Sequence, residues 1–220
     1  MKTSLHYTNI IYLLTHHIIA LYALYNLPSI FSFRLILELI LAIQLTGTLG
    51  VTAGAHRLWS HKSFEAAAPI RFIFMIANSA AHQGSIYHWV RDHRMHHKHT
   101  DTELDPHSIQ YGFWYSHVGW LFFRKNDKLR EAANAIQMND IKNDSIVMFQ
   151  HKNYFILSHL FCFLLPAVYG YHMWNSLWIG YVYFGVLRCV LLLHATWSVN
   201  SVAHMWGSSP YNPRLSSRQN

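Results

Sequence analysis

Charge is scarce in this sequence. Only 12% of the 220 residues are Asp, Glu, Lys or Arg, where soluble domains carry about 25%. That deficit excludes a surface that faces water on all sides. Acidic residues are the scarcest, 10 against 17 Lys and Arg, for a net charge of +7. The excess does not indicate nucleic acid. Twelve of the seventeen basic residues fall between Arg57 and Lys152, the polar middle of the chain, as in the cytoplasmic segments of membrane proteins. There they can also hold anionic headgroups or a phosphorylated ligand. Cysteine is almost absent. Cys162 and Cys189 both sit in apolar stretches, which excludes a disulfide framework. No small-residue cleavage site follows the apolar run near Met1, so a removable signal is not expected and the first span is read as retained. There is no internal repeat and no low-complexity tract.

What is abundant is apolar side chain, 52% of the chain, and histidine, 18 residues. Four segments are long enough to cross a bilayer, which takes about 20 helical residues: 7–27, ending before Pro28, then 33–51, 154–171 and 177–197. Short connectors at 28–32 and 172–176 pair them. The expected fold is an all-α membrane protein, with four transmembrane helices in two hairpins and a cytosolic helical cap carrying the histidines. It is read as a single domain over 1–220. Residues 66–81 are apolar but short. Residues 128–150 read as a polar helical surface and 208–220 as loop.

Three histidine groups stand out. His56 and His61 follow the second span. Five residues on an ideal α-helix rotate by about 140°, so one metal needs the helix to unwind near Trp59, or each ring serves a different metal. Interfacial histidines at a helix end are the plain alternative. His93, His96 and His97 share one helical face at i, i+3 and i+4, with a solvated polar helix as the alternative. Asn200 and His204, at i and i+4, follow the fourth span and are weak evidence alone. If 66–81 does not span, all three groups lie on one membrane face. That segment is therefore expected to be interfacial or half-inserted, and Lys and Arg enrichment puts the face in the cytosol. Structural zinc takes four ligands, often thiolates. Six imidazoles without cysteine suit two metals better, and oxygen-activating iron fits them.

The sequence resembles the membrane fatty acyl-CoA desaturases of the stearoyl-CoA desaturase type. The resemblance rests on Thr52-Ala-Gly-Ala-His-Arg-Leu-Trp-Ser-His61, Trp89-Val-Arg-Asp-His-Arg-Met-His-His-Lys98, Asp105-Pro-His107, Ser116-His-Val-Gly-Trp120 and Asn200-Ser-Val-Ala-His-Met-Trp-Gly207. It implies that His56, His61, His93, His96, His97 and His204 ligate two Fe(2+) ions, with Asn200 acting through a water. It implies that Arg91, Asp92, Arg124 and Lys125 hold the acyl-CoA headgroup, with lipid headgroups as the plain alternative. Trp89 and Trp197 would lie near the acyl tunnel. It further implies dioxygen, electrons from cytochrome b5 and its reductase, and insertion of a cis double bond in the endoplasmic reticulum membrane.

The family also has a His-x-x-His-His box beyond the Asn-x-x-x-His element, which these 220 residues lack. The expectation is a chain shortened at both ends, or an inactive paralogue. His99, His107 and His117 do not reproduce that box, and His107 is read as supporting rather than ligating. A related membrane di-iron hydroxylase is the other enzyme reading, and the match around Thr52–His61 argues against it. Glu38 and Arg188 lie inside spans, where ionisable residues default to function, although pairing explains them equally well. His16 and His17 are assigned to packing or the far interface.

Overall fold

The structure, a computed structural model, describes residues 4–210 and 217–219. Its regular elements are helical, and among the described residues extended pairing is limited to isolated bridges such as Leu5 with Phe123. Part of the expected terminal loop, 211–216 and 220, lies outside the described residues. The order is α1 (Tyr7–Ile30), α2 (Phe33–Ser60), α3 (Ala68–Ala81), α4 (Ile86–His99), α5 (Phe113–His117), α6 (Asp127–Asn134), α7 (Asn139–Lys142), α8 (Ser145–Lys152), α9 (Tyr154–Trp174) and α10 (Leu177–Met205). The chain forms two compact units. One comprises Met1–Leu13, Arg91–Gln137 and His194–Asn220; the other comprises Leu14–Val90 and Met138–Leu193.

Four helices, α1, α2, α9 and α10, are long and apolar enough to cross a membrane, at 24, 28, 21 and 29 residues. Their order gives two hairpins. Ser32 starts α2 by accepting from the Leu35 amide (3.1 Å), and Ser176 starts α10 by accepting from Ile179 (3.2 Å). Left-handed Asn175 (φ 50°) ends α9. One boundary differs from expectation: α1 continues through Pro28 to Ile30. Pro28 stands in the last turn, where one missing amide costs one backbone bond and no following turn has to be sustained.

In the unit built on Leu14–Val90 and Met138–Leu193, α2 and α3 touch backbone to backbone. A Cβ on Gly50 would collide with Ala77 and Asn78. Gly170 and Gly180 make the same kind of approach between α9 and α10. Helix α3 has 14 residues, a rise of about 21 Å, short of the roughly 30 Å hydrocarbon core. Its length agrees with a segment that does not span. Pro69 opens it and left-handed His82 (φ 57°) closes it. Fully buried Gln150 then locks its end. The amide nitrogen donates to Asn78 Oδ1 (2.9 Å) and Ser79 Oγ (3.2 Å), and Oε1 accepts from the Ile86 amide (2.9 Å) that begins α4.

Both ionisable residues singled out in the spans are paired. Glu38 holds Arg34 (2.6 Å) and the Trp174 indole (2.8 Å). Arg188, 2% exposed, donates to Phe184 O (2.7 Å), Thr46 Oγ1 (3.0 Å), Ala80 O (2.8 Å) and Cys162 Sγ (3.1 Å). His16 packs on Phe163 at 5.4 Å between centroids. The polar stretch 128–150 is helical, built as three short helices, α6 to α8. Asn126 caps α6 at the Leu129 amide (2.9 Å) and Asp144 caps α8.

Candidate metal centre

From Leu45 to Ser60, α2 is wound with i→i+5 hydrogen bonds. Such widened turns cluster at functional sites. The winding carries past the helix end: the His61 amide donates to His56 O at 3.1 Å. Residues five apart then stand one turn apart, and the His56 and His61 rings meet edge to face with centroids 4.6 Å apart. Unwinding near Trp59, one of the two alternatives open from the sequence, is not what the backbone does. The helix widens instead of breaking, and the about 140° separation of an α-helix is removed. Ser60 Oγ donates to Ala55 O (2.7 Å) along the same turn. Trp89 lies beside the pair, its ring 6.2 Å from His56 and its indole on Gln83 Oε1 (3.4 Å).

In the other unit, His93 and His97 lie one turn apart on α4. Their Nε2 atoms are 3.0 Å apart. At most one proton fits between them, so at least one nitrogen presents a lone pair. His96, on the buried flank, pairs through Nδ1 with Asp105 Oδ2 (2.8 Å). His204 of α10 pairs through Nδ1 with Asp101 Oδ2 (2.8 Å), and its ring lies 5.1 Å from that of His96. With Nδ1 engaged by a carboxylate, Nε2 is the nitrogen left to ligate, the arrangement that orients metal-bound imidazoles.

One loop supplies both carboxylates. Asp101 adopts φ 56° and donates its amide to Asp105 Oδ2 (2.8 Å), while Asp105 Oδ1 accepts from the His107 amide (3.1 Å). Burial alone would raise the Asp105 carboxyl, but the His96 hydrogen bond and His107 hold it below the usual range. Burial pushes His107 down to about 4 despite Asp105, so its ring is neutral at pH 7. His96, Asp105 and His107 are all buried, with candidate ligand atoms within 4.8 Å of one another. This histidine cluster could hold a metal ion.

Asn200 lies one turn before His204. Its carbonyl accepts from Ser116 Oγ (2.6 Å). His117 reinforces the contact, reaching Ser201 Oγ (2.9 Å) and His194 Nδ1 (3.0 Å). Helix α5 thereby braces the end of α10. Trp197 is buried, 5.8 Å from the His117 ring.

The expected headgroup residues come together in part. Arg91 (2.9 Å) and Lys125 (2.6 Å) share one oxygen of Asp92. Burial would raise the Asp92 carboxyl, but the two cations hold it below its ordinary range. Burial pushes the Lys125 amine down, outweighing Asp92. Arg124 is exposed, and its amide donates to Ser4 O (2.9 Å). Sequence reasoning missed Asp101 and Asp144. The first could have been found as a carboxylate four residues before Asp105, directly after the histidine run.

The chain matches the fatty acid desaturase family description over residues 31–220. It is similar to acyl-CoA desaturase 1 of Tachysurus fulvidraco, 43% identical over 96% of this chain and 63% of that one. Acyl-CoA Delta-9 desaturase of Acheta domesticus is 43% identical over 96% of this chain and 59% of its own length. Stearoyl-CoA desaturase 5 of Homo sapiens is 40% identical over 100% and 66%. The chain thus spans roughly three-fifths to two-thirds of the length of these curated relatives. Carboxylate-oriented histidines, four apolar spans and a match over most of the sequence lead to one assignment: the chain belongs to the fatty acid desaturase family.

Proposed function

We propose that the chain acts as an acyl-CoA desaturase, forming a cis double bond in a saturated fatty acyl-CoA with dioxygen and with electrons from cytochrome b5 and its reductase. The observation that carries this reading is the paired carboxylates, Asp105 on His96 and Asp101 on His204, beside the facing Nε2 atoms of His93 and His97. Neutral imidazoles without thiolate suit iron. His56, His61, His93, His96, His97 and His204 would hold two Fe(2+) ions, with Asn200 contributing through water. An unactivated methylene resists acid–base chemistry, and bound iron with dioxygen supplies the oxidising power.

The protein's own part is placement. Arg91, Arg124 and Lys125 offer cations to the CoA phosphates, and Asp92 holds Arg91 and Lys125 in register. Trp89 and Trp197 would flank the acyl chain. The spans seat the protein in the endoplasmic reticulum membrane, with the basic, histidine-bearing segments on the cytosolic side.

The test uses the full chain in lipid nanodiscs, loaded with iron and supplied with a saturated acyl-CoA, dioxygen and reduced cytochrome b5. Mass spectrometry of the acyl product decides. An alkene supports the proposal. A hydroxy-acyl product identifies a hydroxylase, and iron retention without turnover identifies an inactive paralogue; either result overturns it.

A further inference from the structure

Asp144 was outside every motif, yet its carboxylate gathers four donors. Oδ1 accepts from the Ile146 (3.0 Å) and Val147 (3.3 Å) amides, capping α8. Oδ2 accepts from Trp59 Nε1 (3.1 Å) and Arg71 NH1 (2.6 Å). One side chain, 10% exposed, thus ties the last turn of α2, the first turn of α3 and the start of α8. All three elements lie in one compact unit.

Trp59 is the informative partner. It is 4% exposed and stands between His56 and His61 in the widened turn. The ring pair is in register only while that turn keeps its i→i+5 bonds, and nothing in ordinary helix energetics favours them over i→i+4. A fixed indole supplies a reason: if the turn tightens, Trp59 rotates away from Oδ2 and leaves a buried N–H without its acceptor, which is costly. A further tie near this turn, Lys62 with Asp140 (3.0 Å), leaves the lysine side chain 65% exposed. Exposed pairs of that kind contribute little.

We propose that Asp144 is a positioning residue that acts through Trp59 to hold His56 and His61 toward a common ion. The proposal rests on reading those histidines as metal ligands. The experiment titrates Co(2+) alone into the full chain in nanodiscs and follows visible absorbance. His61→Ala identifies the component that depends on the pair. Asp144→Asn and Trp59→Phe are each expected to weaken that component about tenfold, within the range for partners that orient ligands. The double variant should be no weaker than either single one, because both remove one contact. Asp144→Glu should restore most of the affinity. Unchanged Co(2+) affinity in both single variants, or effects that add, overturns the proposal, and so does a lower melting temperature with Co(2+) binding intact. If Asp144→Asn does not fold, Trp59→Phe decides alone. A component insensitive to His61→Ala overturns the ligand reading and this proposal with it, whereas sensitivity to His61→Ala alone removes only the role of Asp144.

Discussion

The His61 amide donates to the His56 carbonyl at 3.1 Å, and the two imidazoles meet 4.6 Å apart as a result. The bond is a local departure from α-helical winding that makes a pair out of residues with the wrong spacing. His56→Ala and His61→Ala should each weaken iron binding at least tenfold, a lower bound set by what loss of a mere orienting partner costs. His99→Ala, outside the ligand set, should bind as wild type. Iron titration followed by elemental analysis measures this, and equal binding in all four proteins would remove the pair from the ligand set.

Asp101 and Asp105 orient His204 and His96. In Asp101→Asn and Asp105→Asn the geometry survives but the negative charge that raises ligand basicity is lost. Iron affinity is expected to fall about 10- to 100-fold in each. Asp105→Asn should be the more severe, because its carboxylate also holds the Asp101 amide. The same titration checks both, and wild-type affinity in Asp105→Asn would show that His96 needs no carboxylate.

Arg188 spreads its donors over acceptors on four helices, α2, α3, α9 and its own α10. Arg188→Lys keeps the charge but loses the planar fork. At least one buried carbonyl is left without a donor, at about 1–3 kcal/mol. A lower melting temperature in detergent is the expected result. Unaltered melting would mean that charge alone, not guanidinium geometry, is what the site requires.

Acid should destabilise the fold through His82. Burial, with His159 and His16 nearby, pushes its pKa from 6.5 to about 3. The unfolded chain binds this proton near pH 6.5 and the folded chain only near pH 3. The contribution is therefore complete above about pH 6.5 and is lost progressively as pH falls toward 3. His82→Asn keeps a residue tolerant of the left-handed backbone and removes the titrating ring. It should flatten the dependence by up to about 1.4 kcal/mol per pH unit. Melting curves between pH 7 and pH 4 test it, and parallel curves for the two proteins would contradict it.

The spans are legible in the sequence because lipid exposure demands unbroken apolar runs, and the helices extend beyond the expected ranges by three residues in α1 and α9, eight in α10 and nine in α2. The shortness of α3 is legible too, as a brief apolar run. The winding of 45–60 is not, since i→i+5 bonding leaves no composition signature. The polar stretch 128–150 is helical as expected, and its division into three short helices follows from Asn139 and Asp144, each able to end or start a helix locally. The histidines are individually legible, and Asp105 lies in the Asp105-Pro-His107 motif, but the pairing of Asp101 with His204 is not legible. Asp101 pairs with a residue 103 positions away, and no local pattern encodes that distance.

The same separation sets a schedule for biosynthesis. Asp101 and His96 leave the ribosome together, but His204 follows only after another hundred residues. At about 5–20 residues per second, the loop waits roughly 5–20 s for its second imidazole. During that interval Asp101 stands beside a histidine-rich helix while His204 is still to be made. On the proposed ligand set, metal loading of the nascent chain before α10 is made would meet an incomplete donor set, which would make productive loading a late event.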